Sequence, residues 1–216
     1  MGPHTVCQDG ILGHWGTFAS SILVDMSFVL KRYPNDESPT PILKPRENIS
    51  WEAKAVFNPS VVYDGGVFRM LYRTYPEILE ETTPRLKRPG FYFENQISYI
   101  GYAESKDGVY FERREDSFIT PDADFDRYGC EDPRVTKIGD TFYITYTAID
   151  GPLNDKINRP DVRIALATTK DFITIQKHGI IGPPTSSKAA AFFPELVNGG
   201  KVGMLMTIAA DSTASR

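Results

Sequence analysis

The stretch Gly129-Cys130-Glu131-Asp132-Pro133-Arg134 stands at the entry to a β-strand pattern, and the rest of the chain is interpreted from it. It brings two carboxylates and a guanidinium together within four residues. A strand pattern runs over 134–138 and, after a Gly139-Asp140 turn, continues over 141–148. Two such runs joined by a short Gly-containing turn predict an antiparallel hairpin.

The same arrangement occurs upstream and downstream of this block. Asn58-Pro59 precedes a hairpin pattern over 60–74, and Pro194-Glu195 precedes another that continues to residue 207. Residues after Pro59, Pro133 and Pro194 align position by position, although the prolines lie 74 and 61 residues apart. Four antiparallel strands per repeat at this spacing are typical of β-propeller blades. The sequence therefore predicts an all-β propeller with about two and a half blades, whose fourth strands lie at 109–113 and 172–175.

The number of blades sets the predicted domain organisation. Propellers typically close with four to eight blades, so we expect this chain to be part of a longer protein. We assign residues 30–216 to a partial propeller and residues 1–29, which show no clear period, to an N-terminal extension. The apolar run 22–30 is interrupted by Asp25 and is too short to span a bilayer, so no membrane anchor is expected.

Composition and charge exclude several function classes. The 216 residues carry a net charge of −4, without the basic character expected of a nucleic-acid-binding protein. Cys7 and Cys130 are too few for a disulfide framework or a metal site, which favours a reducing, cytoplasmic location and no metal. The 11 Tyr and 13 Phe residues suit β-strands and can stack on sugar rings.

The residues beside the three prolines are candidates for ligand binding. In a propeller the innermost strand of each blade lines the central channel, so equivalent positions face one axis. These positions hold Asn58, Asp132, Arg134 and Glu195. An amide, carboxylates and a guanidinium around one cavity suit a hydroxyl-rich ligand such as a sugar. The alternative is that Asn-Pro and Asp-Pro only start turns.

Two further cations are candidates. Arg73 interrupts an apolar strand pattern, so it needs either a ligand or a salt bridge, which a carboxylate of the outer blade could provide. Lys188 lies in a predicted loop over 185–191, near the expected channel mouth, and its alternative is a mobile surface lysine.

Taken together, several stretches resemble glycoside hydrolase family 130, whose members are five-bladed propellers and comprise β-mannoside phosphorylases and related β-mannosidases. The resemblance covers about residues 30–205, and its most specific part is the Glu-Asp-Pro-Arg block. It rests on Phe57-Asn58-Pro59, Leu71-Tyr72-Arg73, residues 128–147, residues 165–171 and Phe193-Pro194-Glu195.

The resemblance implies a glycoside phosphorylase that converts β-1,4- or β-1,2-linked manno-oligosaccharides to α-mannose 1-phosphate with inversion. Inorganic phosphate is the co-substrate, and no cofactor is expected. Asp132 becomes the general acid, protonating the glycosidic oxygen through a hydroxyl of the bound mannose. Arg134 also supports the acid. The resemblance implies sugar binding by Asn58, Arg73, Glu131, Arg134 and Glu195, and phosphate binding by Arg73 and Lys188.

Other expectations concern partners. The β-mannoside and phosphate are the expected partners, without nucleic acid or membrane, and homo-oligomer formation is left open.

One departure from the family keeps alternatives open. The phosphorylases usually continue the third-blade strand as Met-Leu-His-Arg, whereas here Met204-Leu205 is followed by Met206-Thr207. The missing His and Arg favour a β-mannosidase that uses water, or else the residues after Leu205 are not the natural continuation of the strand. A third hypothesis is an inactive propeller fragment that binds sugar. For Asp132, desolvation would raise the pKa and the nearby Arg134 would lower it, and the sequence leaves open which dominates.

Overall fold

The computed structural model describes residues 40–76, 97–150 and 162–208, and these are organised as β-strands. One 3₁₀ turn, Ser50–Glu52, is the only helical element among them, and none of the described helices is long and apolar enough to cross a membrane. The predicted N-terminal extension, residues 1–29, lies outside the described residues. The strands are β1 (Ala55–Asp64), β2 (Val67–Tyr75), β3 (Tyr99–Ser105), β4 (Glu112–Arg113), β5 (Gly129–Ile138), β6 (Thr141–Ile149), β7 (Val162–Thr169), β8 (Gln176–Ile180), β9 (Ser187–Val197) and β10 (Lys201–Ile208).

The strands form three antiparallel sheets, which we call blades 1 to 3. Blade 1 has the order β1-β2-β3-β4, blade 2 the order β5-β6-β7-β8, and blade 3 pairs β9 with β10. The predicted all-β class and partial propeller with about two and a half blades are thereby confirmed. The first hairpin turns at Gly65 and Gly66, whose φ angles of 59° and 80° are ones that glycine adopts without steric cost.

The predicted positions of the two fourth strands are wrong: the prediction at 109–113 begins three residues before β4, and the prediction at 172–175 ends before β8 begins. A longer turn precedes each of them. The Asp107 carboxylate accepts hydrogen bonds from the N–H groups two and three residues on, at 2.8 and 2.9 Å. Asp171 does the same, at 2.8 Å twice. These N–H groups are bonded within the turn and are unavailable for strand pairing, so the apolar and aromatic residues there do not start a strand.

A single apolar core joins blades 1 and 2. Leu71 and Tyr102 of blade 1 and Ile144 and Tyr146 of blade 2 are among its buried members. Phe172 packs at one end of this core, with its ring centroid 5.3 Å from that of Tyr102. Full burial of a large apolar side chain stabilises a fold by about 1.5 to 3 kcal/mol, so the packing of blade 1 against blade 2 contributes substantially to the stability of both. This stacking also fixes the inner strands of neighbouring blades relative to each other.

A buried carboxylate, Glu52, lies on the face of blade 1 that points away from blade 2. Its Oε1 accepts hydrogen bonds from Arg46 and, at 3.2 Å, from Arg113. Its Oε2 accepts a hydrogen bond from the hydroxyl of Tyr72 at 2.9 Å. This network ties the segment before β1 to β2 and β4. A fully buried carboxylate is tolerated when cations and donors surround it in this way.

Candidate active site

The site is built on two β-bulges at equivalent places in blades 1 and 2. In the pairing of β1 with β2, Asn58 and Pro59 stand opposite one residue. In the pairing of β5 with β6, Asp132 and Pro133 do the same. Asn58 and Asp132 have φ angles of 48° and 50°, a left-handed conformation that Asn and Asp tolerate better than most residues. A bulge with this backbone conformation turns its side chain out of the regular alternation of the strand. Such positions are frequent at functional sites.

The two bulges meet through their side chains. The amide Nδ2 of Asn58 donates a hydrogen bond of 2.6 Å to Oδ1 of Asp132. A second link lies beside it, where the backbone N–H of Val135 donates to Oγ of Ser60 at 3.0 Å. Asp132 is buried, with 7% of its surface exposed. The predicted convergence of the first two proline positions on one centre is therefore present.

Arg73 of β2 spans the two adjacent carboxylates of blade 2. Its Nη1 lies 3.3 Å from Oδ1 of Asp132, and its Nη2 donates to Oε1 of Glu131. The guanidinium carbon lies 4.8 Å from the ring centroid of Phe57 and 4.6 Å from that of Tyr75. The alternatives for Arg73 are thus settled in part: it has a salt bridge, but to the carboxylates at the site rather than to an outer-blade residue.

Lys188 approaches the same carboxylates from blade 3. It lies within β9, beside a bulge at Ala189, and not in the loop that the sequence predicted. Its Nζ is 3.3 Å from Oε2 of Glu131 and 3.5 Å from Oδ2 of Asp132. The Lys188 side chain is 53% exposed, so this cation covers the two carboxylates from the solvent side.

The surroundings of Asp132 decide its protonation. Burial raises the pKa of Asp132, but the hydrogen bond from Asn58 and the charges of Arg73 and Lys188 outweigh it, so the pKa lies below its usual value. The sequence left open whether desolvation or a nearby cation dominates the pKa of Asp132. In the structure the lowering groups dominate, and the cations among them are Arg73 and Lys188 rather than Arg134. Arg134 instead directs its Nη1 to the carbonyl oxygen of Pro133, at 2.6 Å.

The third proline position differs from the first two. Around Pro194 three residues of β9 stand opposite one of β10, and Phe193 is 50% exposed. Glu195 is exposed, and the structure records no hydrogen bond or ion pair that joins it to another described residue. Of the predicted site residues, the structure brings together Asn58, Arg73, Glu131, Asp132 and Lys188, and leaves Arg134 and Glu195 outside their contacts.

Sequence reasoning missed two residues that complete the centre. The hydroxyl of Tyr75 accepts a hydrogen bond from Arg73, and burial raises the pKa of Tyr75 to about 12, so it stays protonated. Ser98, just before β3, lies with its Oγ 3.4 Å from Oε1 of Glu131. Tyr75 lies at the end of β2, where it pairs with Ala55. Its position two residues after Arg73, on the same face of the strand, was the one signal in the sequence that could have found it.

A second buried network lies behind β5. Asp126 accepts hydrogen bonds from the hydroxyl of Tyr146 at 2.8 Å and from Nζ of Lys177 at 2.7 Å. The Cys130 thiol donates to the same carboxylate at 3.5 Å. Burial raises the pKa of this thiol well above its usual value, so Cys130 is a neutral packing residue. Within the described ranges, no three His, Cys, Asp or Glu side chains are placed to hold a metal ion.

Comparison with known proteins places this arrangement in one family. The model of a glycoside hydrolase family described as beta-1,4-mannooligosaccharide phosphorylase matches residues 34–206. A 1,2-beta-oligomannan phosphorylase of Thermoanaerobacter sp. (strain X514) is 35% identical over 162 residues, which is 75% of this chain and 49% of that protein. A beta-1,2-mannobiose phosphorylase of Listeria innocua is 37% identical over 115 residues, 53% of this chain and 30% of that protein.

Solved structures agree with the sequence matches. A beta-1,2-mannobiose phosphorylase from Listeria innocua, in complex with beta-1,2-mannobiose, superposes with a TM-score of 0.59 at 27% identity, covering 73% of this chain and 52% of that one. A second structure has a TM-score of 0.60 at 25% identity, covering 84% of this chain and 51% of that one. It is described with the statement that the family of mannoside phosphorylases contains glycoside hydrolases that target beta-1,2 mannosidic linkages in Candida mannan. The chain spans about half the length of the first curated relative and of these two structures.

Proposed function

The chain belongs to glycoside hydrolase family 130, and on that premise we propose that it acts in the inverting phosphorolysis of β-mannosides. An oxygen of inorganic phosphate forms a bond to the anomeric carbon while the bond from that carbon to the leaving oxygen breaks. One proton passes from Asp132 to the leaving oxygen, through a hydroxyl of the mannose. The products are α-mannose 1-phosphate and a shortened acceptor.

The observation that best supports this proposal is a carboxyl group with two cations beside it. Inverting chemistry needs one acid and an external nucleophile on the opposite face of the sugar. Phosphate is itself the nucleophile, so the protein has to supply cations to bind and orient it rather than a base. Asp132 meets the first need, and Arg73 and Lys188, at 3.3 and 3.5 Å from it, meet the second.

The lowered pKa of Asp132 bears on this mechanism. With Asn58, Arg73 and Lys188 around it, the carboxyl is ionised at neutral pH, whereas a general acid must carry a proton. We propose that Arg73 and Lys188 form ion pairs with phosphate when it binds, which weakens their ion pairs with Asp132. Burial and the negative charge of phosphate then both raise the pKa of Asp132 against the remaining hydrogen bond from Asn58, which favours the protonated acid when its co-substrate is in place.

Among linkages, we propose β-1,2 as the first to test and β-1,4 as the second. The curated relatives quoted above are named for β-1,2-mannosides, whereas the family model is described by a β-1,4 activity. Asn58 and Arg73 are proposed to bind the sugar, together with Arg134 and Glu195 once substrate is present.

The test is product formation from β-1,2-mannobiose and β-1,4-mannobiose with and without inorganic phosphate, followed by ³¹P NMR. We expect mannose 1-phosphate only with phosphate, and none from the Asp132→Asn variant. Asp140→Asn, in the exposed turn between β5 and β6, is the matched control and keeps wild-type rates. Mannose release at an equal rate without phosphate would overturn phosphorolysis.

Hydrolysis by water is the second candidate, because Met206 and Thr207 stand where the phosphorylases have His and Arg. The family also includes hydrolases that target beta-1,2 mannosidic linkages. If neither reaction occurs but mannobiose binds, the third hypothesis, a sugar-binding propeller fragment, replaces both.

A further inference from the structure

The carboxylate of Glu131 is surrounded by protein donors. Its side chain is 6% exposed. Oε1 accepts hydrogen bonds from Nη2 of Arg73 and, at 3.4 Å, from Oγ of Ser98. Oε2 accepts from Nζ of Lys188 at 3.3 Å. Both oxygens are already engaged by cations, and little of the group is left open to a sugar hydroxyl.

The two cations that meet at Glu131 come from different blades. Arg73 belongs to β2 of blade 1 and Lys188 to β9 of blade 3, while Glu131 stands on β5 between them. Two positive groups that converge on one centre repel each other, and a buried negative charge between them offsets that repulsion. Glu131 is therefore placed to set the distance between the cations as well as their directions.

Asp132 cannot take over this task. It shares Arg73 and Lys188 with Glu131, but its Oδ1 is also held by Asn58, and it must be protonated to act as an acid. A protonated carboxyl no longer balances a cation. During the reaction the charge of Glu131 is thus the one that stays.

We infer that Glu131 is a positioning residue, which holds Arg73 and Lys188 in place for an anionic co-substrate and does not itself bind the sugar. This differs from the sugar-binding role that the family resemblance implies for it, and it rests on the proposed phosphorolysis. The two adjacent carboxyl groups then have different roles: Asp132 donates the proton to the leaving oxygen of the sugar, and Glu131 positions the cations that bind phosphate.

The test compares the KM for inorganic phosphate with the KM for β-1,2-mannobiose in wild type and Glu131→Gln. We expect the phosphate KM to rise about tenfold or more, while the mannobiose KM changes less than about twofold. Glu131→Asp keeps the charge but shortens the reach, and should shift the phosphate KM in the same direction. Glu112→Gln, on the exposed part of β4, is the matched control and should change neither constant.

A second measurement does not depend on turnover. In ¹⁵N NMR, the Arg73 guanidinium should show restricted rotation of its Nη groups in wild type, and averaged Nη signals in Glu131→Gln. A rise of the mannobiose KM alone, or an Arg73 spectrum that is unchanged in both Glu131 variants, would overturn the inference. Absence of any phosphate-dependent product in wild type would instead count against the proposed function, and the guanidinium spectrum would still decide whether Glu131 holds Arg73.

Discussion

Replacing Lys188 by glutamine should raise the pKa of Asp132. The substitution removes a positive charge that lies 3.5 Å from Oδ2 of Asp132 and 3.3 Å from Oε2 of Glu131. A nearby cation favours the ionised carboxylate, so its loss favours the protonated form. The carboxylate of Glu131, no longer paired with Lys188, repels an ionised Asp132 more strongly, which also raises the pKa of Asp132. The expected direction is therefore upward from the lowered wild-type pKa.

The size of the change follows from distance and exposure. Two unit charges 3.5 Å apart interact by about 1 kcal/mol in bulk water and by about 5 kcal/mol at an effective dielectric of about 20. Because the Lys188 side chain is 53% exposed, solvent screening places the interaction near the lower figure. At about 1.4 kcal/mol per pKa unit, the pKa of Asp132 should rise by about half a unit to one unit.

The same shift has a consequence for stability. A carboxyl whose folded pKa lies below its unfolded value stabilises the fold above the unfolded pKa of about 3.9, and loses that contribution as the pH falls through the folded pKa. Lys188→Gln brings the two pKa values of Asp132 closer together. The variant should thus be less stable than wild type at neutral pH, and the difference should narrow as acidification protonates Asp132.

The assay is a pH titration of side-chain carboxyl ¹³C resonances, with Asp132 assigned by its absence in Asp132→Asn. Lys137→Gln serves as the matched control, because Lys137 pairs with Asp64 at 2.6 Å and not with the site. It should leave the pKa of Asp132 unchanged. An Asp132 pKa that is unchanged or lower in Lys188→Gln would refute the reasoning, since the charge of Lys188 would then not act on the Asp132 carboxyl.

Three further substitutions test the fold around the site by urea unfolding. Glu52→Gln leaves two arginines without their buried counter-charge and should lower the free energy of unfolding by about 3 to 5 kcal/mol. The control Glu112→Gln, at an exposed position, should change the free energy of unfolding by less than about 0.5 kcal/mol. Equal effects of the two substitutions would contradict this expectation. Thr147→Val removes a buried hydroxyl without a hydrogen-bond partner among the described residues and should stabilise by about 1 kcal/mol, so a loss of stability would show a missed partner. Gly101→Ala would place a methyl 2.4 Å from the buried ring of Tyr72 and should cost about 1 to 3 kcal/mol, and an unchanged midpoint would mean that the ring can move.

The sequence identified most of the blade architecture because the signals for it are local. Alternation of apolar residues and glycine-containing turns depends on near neighbours, and the recurrence of Pro59 and Pro133 before equivalent hairpins marked the repeat. The fourth strands were misplaced where a local competitor was overlooked. Asp107 and Asp171 bind the very N–H groups that a strand would need.

The site could be predicted only in part, for the same physical reason. Motif positions named Asn58 and Asp132, and the bulges bring these two side chains together. The cation beside Asp132 was expected to be Arg134, two residues away, but neighbours along a strand with a bulge need not point the same way. The tertiary structure alone decided that Arg73 from one blade and Lys188 from another reach Asp132, because contacts between blades depend on strand register and sheet stacking, which no local pattern encodes.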